Sequence, residues 1–498
     1  MSSFTEHLDV VIIGAGLSGI GAAHRLQTEC PDKSFAILES RASIGGTWDL
    51  FRYPGVRSDS DMYTLSYPWR PWTAPDAIAD GSSILGYLRD AAEESDLPRH
   101  IRFNTRLVSA DFSSSTGLWT LQLESTQPEG SAVQTLTCSF LYACTGYYNY
   151  DHGHQPDFPG LESFTGDVVH PQFWPEDLDY TGKQVVVIGS GATAVTLVPA
   201  LADNAAHVTM LQRSPSYVVS VGQRDGFADA LRRVLPATMA HRLARARNVV
   251  VPLAFYQLCK RAPRLAKAFL RGQARSLLDE QRIRDHFTPA YDPWEQRLCV
   301  APGGDFYRAL ASDKASVVTD RIEHFTANGI VLASGRELAA DVVITATGLS
   351  LQPLGGAELS VDGAAVDLGD AWVYRGVLVT GIPNLGYCVG YTNASWTLRS
   401  DLSSRYVCRL LKHMDRNGYT MAVPVPEPGM VRRPLLDLSS GYVKRSAEVF
   451  HRQGAGSPWT VGTNYLLDAP EALLGYVGAN MAFDIVPAPV AVAGPGPR

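Results

Sequence analysis

What most narrows the folds open to this chain is a short grammar used twice: a continuous apolar run, a glycine turn, then a helical pattern. In the first copy Asp9 to Ile13 reads as a strand, Gly14-Ala15-Gly16-Leu17-Ser18-Gly19 as the turn and Ile20 to about Thr28 as a helix. A second apolar run, Ser34 to Leu38, ends in Glu39, about 20 residues past Gly19. The glycines (Gly14, Gly16, Gly19) permit a tight turn and close backbone approach. The helix N-terminus turns free N–H groups toward a pyrophosphate, and Glu39 accepts from ribose hydroxyls. A lone G-x-G-x-x-G is weak, but one with strand, helix and acid in register points to a dinucleotide site.

The second copy runs from Gln184 to Ile188, through Gly189-Ser190-Gly191-Ala192-Thr193-Ala194, into a short helix from Val195 to Leu201 and a strand from His207 to Leu211. Ala194 stands where the strict pattern has glycine. Where the first copy carries an acid, this one carries Arg213. A cation there can pair with a 2′-phosphate and shift preference from NAD to NADP, a contact of about 1.5–3 kcal/mol or roughly ten- to a hundredfold. The competing reading is a solvated surface arginine. Two more apolar strands leave through glycine, Phe140 to Gly146 and Asp341 to Gly348, and each closes one nucleotide unit. The expected architecture is therefore α/β, with two Rossmann-like dinucleotide-binding domains, the second inserted in the first. The boundaries expected are 1–152, a connector over 153–181, the second domain over 182–348, a return over 349–486 and a disordered tail over 487–498.

Composition excludes other classes. With 498 residues, 45% hydrophobic, the chain has enough apolar material for several cores and is not disordered. A net charge of −7 gives no chain-wide attraction to nucleic acid. No apolar run approaches the ~18 residues of a spanning helix, and the opening MSSFTEHLD lacks a basic-then-apolar leader, so a cytoplasmic location is expected. The 7 cysteines are odd in number and form no C-x-x-C. That argues against a disulfide framework, a metal site or a dithiol reductase.

Residues 231–278 stand apart, with Arg232, Arg233, Arg242, Arg245, Arg247, Lys260, Arg261, Arg264, Lys267, Arg271 and Arg275 and no acid. Two compatible readings stay open: a helical cap over the substrate site, or a basic amphipathic surface that lies on the inner face of a membrane or against another subunit.

The join between the two copies reads Phe164-Thr165-Gly166-Asp167-Val168-Val169-His170-Pro171-Gln172-Phe173-Trp174-Pro175, which fits F-x-G-x-x-x-H-x-x-x-W-P at Phe164, Gly166, His170, Trp174 and Pro175. Gly45 to Asp59 fits G-G-x-W-x-x-x-x-Y-P-G-x-x-x-D. With DMYTLSY, Tyr291-Asp292-Pro293-Trp294, QRLC and GYTNASWTLR, the chain resembles the Baeyer–Villiger subgroup of class B flavoprotein monooxygenases, nearly end to end, and within it a bacterial thioamide-activating branch.

That resemblance implies FAD at the first site, with Gly46 and Trp48 beside it, and NADPH at the second, on Gly189, Gly191, Thr193 and Arg213. It implies that NADPH reduces the flavin, that O₂ adds to give a peroxyflavin, and that a ketone becomes an ester or lactone, with sulfides and thioamides as alternative substrates. Arg297 is the expected catalytic cation that keeps the oxidant anionic, and Asp59 the carboxylate that orients or tunes it. Asp59 also reads as a turn or N-cap residue. Gln296 stands where the family commonly has a phosphate-gripping lysine. His170 is expected to hold the linker rather than transfer protons, and Trp459, in a W-x-x-G-x-N segment, to close over the nicotinamide ribose. The rival outside catalysis is a nucleotide-sensing scaffold that docks to membranes.

Overall fold

The structure is a computed structural model that describes residues 6–126, 133–436, 438–446 and 448–486; the tail 487–498 and the first five residues lie outside them. The first glycine turn joins β1 (Glu6–Ile13) to α1 (Leu17–Glu29), and β2 (Phe35–Leu38) returns parallel to β1. A short β3 (Ile101–Arg102) extends this edge in parallel. Val10, Val11 and Ile12 are fully buried, as expected of a strand covered on both faces.

On the other side of β1 the sheet changes character. β4 (Thr105–Ser113) and β5 (Leu118–Ser125) form an antiparallel meander onto β6 (Gln134–Ala143), which is itself parallel to β1. The sheet is therefore mixed rather than wholly parallel. Residues of β5 alternate between buried and half-buried, the period-2 signature of a strand with one open face.

The chain then builds a second sheet. It comprises β7 (Asp167–Val169), β8 (Gln184–Ile188), β9 (His207–Gln212), β11 (Ala315–Thr319) and β12 (Val342–Thr345), all parallel, in the order β11-β9-β8-β12-β7. α2 (Ala192–Ala202) follows the second glycine turn. Between β9 and β11 lie α3 (Gly226–Val234), α4 (Ala237–Arg261), α5 (Pro263–Arg275), β10 (Cys299–Pro302) and α6 (Asp305–Ala311). The segment 153–181 is more than a connector, since it supplies the edge strand β7.

The outgoing strand Tyr148–Gly153 and the returning strand Leu349–Leu351 pair antiparallel. After the return, β13 (Leu385–Tyr387) lies parallel to the C-terminal half of β6, and α7 (Trp396–Asn417) packs along α1. α8 (Tyr465–Leu474) lies against α7.

The basic stretch is helical and its inner face is docked. Arg245 donates to the carbonyls of Tyr63 at 2.7 Å, Thr64 at 3.3 Å and Ser66 at 2.8 Å, closing the C-terminal end of the short helix Met62–Leu65. Arg232 donates to the carbonyls of Trp72 at 3.1 Å and Ala74 at 3.3 Å. Val249 of α4 packs with Tyr391 and with Leu398 of α7.

Candidate active site

The first glycine turn is shaped for close approach. Gly14 has φ 101°, and a Cβ there would lie 2.9 Å from the carbonyl oxygen of Cys144; one at Gly19 would lie 1.8 Å from that of Gly14. Only glycine fits. Gly16 caps α1 in extended conformation without a side-chain bond, which leaves the amides of the first turn open. Glu39 is 5% exposed and accepts from the amides of Ala15 at 2.7 Å and Arg41 at 2.9 Å. Burial pushes its carboxyl pKa up, against the pull of those donors and of Arg41. Each oxygen keeps a further lone pair for a hydroxyl donor. This glycine cradle with its acid fits the adenosine half of a dinucleotide.

The stretch Gly45–Asp59 links the two turns. Gly46, at φ 55°, caps the short helix Thr47–Leu50, and a Cβ on it would lie 3.1 Å from the Cα of Gly16. Gly55, at φ 76°, sits where a Cβ would lie 2.8 Å from the Cβ of Ala200, so this loop rests on α2 of the other sheet. Burial pushes the Tyr53 phenol up to about 12, with a hydrogen bond to Thr193 pulling the other way. The helix Met62–Leu65 is capped by Asp61, which accepts from the amide of Thr64 at 3.0 Å, so the N-cap reading does not apply to Asp59. Asp59 is half-buried instead, and burial pushes its carboxyl up while the Arg297 and Arg57 guanidiniums pull it down. Arg57 is itself held by the Asp305 carboxylate and by the carbonyl of Val300 at 3.3 Å.

Arg297 sits just before β10 in a constrained loop. Trp294 has φ 69°, uncommon for a residue with a side chain, and persists because its neighbours hold it. Lys260 of α4 donates to its carbonyl at 3.2 Å, the Tyr256 ring lies 5.4 Å from its indole, and Lys267 of α5 pairs with Asp292 at 2.6 Å.

One cavity of ≈ 350 Å³ joins these parts. Gly14, Gly16, Glu39, Gly46, Trp48, Asp59, Thr193 and Arg297 all line it. Gly189, Gly191 and Arg213, also expected at the site, are not among the residues that line it. A Cβ on Gly189, at φ 135°, would lie 2.3 Å from the carbonyl oxygen of Ala346, and Gly191 caps α2 in extended conformation. Arg213 is exposed just past β9, with no carboxylate or hydrogen-bond partner among the described residues.

The signature segment works at the crossing between sheets. His170 accepts from the amide of Gln172 at 3.2 Å through Nδ1, so Nε2 donates to the carbonyl of Gly348 at 3.3 Å. Burial lowers its pKa and keeps it neutral near pH 7. Its ring fills the space above Gly153, so one side chain ties the outgoing strand to the returning one. A Cβ on Gly166 would lie 2.3 Å from the carbonyl oxygen of Asp341, Phe164 packs on Phe325 at 6.0 Å, and Trp174 on Tyr180 at 6.4 Å. Pro175 accepts from the amide of Leu178 at 3.4 Å and so turns the chain onward. Trp459 is not brought to the cavity: it is 4% exposed in the core of the first sheet, against Tyr374 at 5.1 Å. All 7 cysteines are buried and free.

Sequence reasoning missed Arg57, Tyr391 and Trp396, which also line the cavity. Tyr391 donates to Asp468 of α8 at 2.7 Å, Asp468 pairs with Arg399 at 3.3 Å, and the Trp396 indole donates to the Ser18 hydroxyl at 2.8 Å. Tyr391 and Trp396 lie in GYTNASWTLR, and Arg57 two residues before Asp59, so the motifs held the signal without separating these positions from their neighbours.

Residues 8–249 match the flavin-binding monooxygenase-like family. The chain is 53% identical to the FAD-containing monooxygenase EthA of Mycobacterium tuberculosis over 98% of its own length and 100% of that protein's. Among solved structures, oxidized steroid monooxygenase bound to NADP aligns with TM-score 0.74 at 24% identity, covering 96% of this chain and 100% of that one. Cyclohexanone monooxygenase bound to epsilon-caprolactone aligns with TM-score 0.75 at 22% identity over the same shares.

Proposed function

This chain belongs to the flavin-binding monooxygenase-like family and is an FAD-containing monooxygenase, and from that premise we propose that it uses NADPH and O₂ to insert one oxygen atom beside the carbonyl of a ketone, giving an ester or lactone. The observation that carries the reading is the single cavity, where the first glycine turn, the first residues of α2, Asp59 and Arg297 meet. FAD held at the first glycine turn would supply the redox chemistry that links a reduced nicotinamide to O₂. The chain's own residues then have definable work. The Gly14–Gly19 turn and Glu39 hold the adenosine half of the flavin nucleotide, and Thr193 faces the cavity from the second turn. Arg213 is free to meet a 2′-phosphate. Arg297, with Asp59 beside it, offers a fixed positive charge to oxygen that becomes negative in the transition state, which a dry pocket makes stronger than it would be in water. The non-catalytic sensor falls away with family membership.

A second reading has its own support. A carboxyl pushed toward its protonated form beside Arg297 can hold a proton at the reacting oxygen. That favours transfer to soft sulfur, as in sulfides and thioamides. Incubation with NADPH, air and a panel of ketones and sulfides, with products identified by mass spectrometry, tests both. Esters or lactones from ketones are expected. Sulfoxides alone select the second reading, and NADPH-dependent O₂ uptake that yields no oxygenated product from any of them overturns both.

A further inference from the structure

The α4–α5 hairpin has an outer face that its inner contacts do not explain. On α4, Met239, Leu243, Ala246, Val250, Ala254 and Leu258 recur at spacings of three and four, so they form one stripe. That stripe is the outward one, because Ala244, His241 and Cys259 fill the opposite, buried side. Leu243, Val250, Phe269 and Leu265 are 45%, 49%, 51% and 64% exposed, and Phe255 joins the two helices by packing on Phe269 at 5.7 Å. Isolated exposed apolar residues need no explanation, but a continuous stripe marks an interaction surface.

The charge around this stripe says what covers it. Arg242 and Arg261 of α4 and Arg264 of α5 are exposed, and none has a carboxylate partner among the described residues. This free positive charge sits on a chain whose net charge is −7. A second copy meeting the same face about a twofold axis would set arginine against arginine. An anionic lipid surface instead takes the apolar stripe into its acyl boundary and the flanking arginines at its phosphates. No helix among the described residues is long and apolar enough to cross a membrane, so the contact is peripheral.

We infer that the outer face of the α4–α5 hairpin is a membrane-docking surface that recognises anionic phospholipid. The same two helices hold the Arg297 loop through Lys260 and Lys267, so the docked face and that loop share one support.

The flavin-loaded protein is tested by flotation with vesicles of phosphatidylglycerol and phosphatidylcholine, and with phosphatidylcholine alone. Binding to the mixed vesicles that weakens as salt rises is expected, with little on the neutral ones. Arg242→Glu with Arg261→Glu lowers partitioning by at least ~10-fold, at about fivefold for each surface arginine lost. Leu243→Asp with Val250→Asp lowers it comparably while NADPH-dependent O₂ uptake in solution stays unchanged. Flavin absorbance and Tm establish that the variants are folded. Three results overturn the proposal: equal binding to neutral vesicles, no binding to either, or a protein dimer that Leu243→Asp dissociates while vesicles are ignored.

Discussion

Asp59 and Arg297 place a weak acid and a permanent cation in one wall of a cavity, and the balance between them sets what each can do. Replacing Arg297 with Ala is expected to leave a yellow protein that NADPH still reduces, with ketone oxygenation lowered by roughly 10²–10³-fold; rapid-mixing reduction and product yield measure the two steps separately. Asp59 behaves differently because burial raises its pKa. A carboxyl with a raised folded-state pKa favours folding below its unfolded value of about 3.9 and opposes it once ionised, so Asp59→Asn is expected to hold or raise Tm at pH 7. The same change removes the acid limb that Asp59 contributes to the pH–rate profile, and an unaltered limb assigns it to another group. Arg213→Ala is expected to raise the KM for NADPH with little change for NADH, and steady-state kinetics with both coenzymes check it. Gly14 and Glu39 could be placed beside the cavity from the sequence because strand, turn and acid lie at fixed local spacing. For Asp59 the motif named the residue but left its N-cap alternative open, and the structure closes that alternative: Asp61 caps the helix, while Asp59 lines the cavity together with Arg297. Trp459 shows the reverse error of short motifs, since large aromatic side chains fill cores whatever segment carries them.

At the level of elements, the long parallel strands at the centre of each sheet announced themselves, whereas the short edge strand β7 and the antiparallel β4 and β5 did not. Continuous apolar runs such as Val10–Ile13 and Val185–Ile188 mark strands buried on both faces, whereas β4 and β5 alternate and carry no glycine turn of the nucleotide type. The helical character of 231–278 was readable, but its inward arginines were not, because the carbonyls they serve belong to residues 63–74. Arg245 is the strongest case. Its guanidinium serves three carbonyls at the end of one short helix, so Arg245→Ala strands them and is expected to cost about 2–3 kcal/mol. Limited proteolysis should then cut the hairpin sooner, alongside a lower Tm.

For the whole molecule, buried histidines set the response to acid. Burial pushes His241 down to about 4 and His451 to about 3. Both are neutral in the folded state, whereas the unfolded chain takes up these protons near pH 6.5. The stability they allow is complete above pH 6.5 and drains away as pH falls toward 4 and then 3. Tm is expected to fall between pH 7 and pH 5, and less steeply in His241→Gln, as calorimetry at the two pH values would report.

The nesting of one sheet inside the other also dictates an order of assembly. The inner sheet has all its strands once Thr345 leaves the ribosome, but Leu141–Ala143 of the outer sheet, already paired with Val11–Ile13, lack their second neighbour until Leu385–Tyr387 arrive. Through that interval the nascent chain carries a finished insert on an unfinished host with one bare rim. Tyr391 and Trp396, two walls of the pocket, emerge later still, so the pocket has its full lining only after that last rim strand has been made.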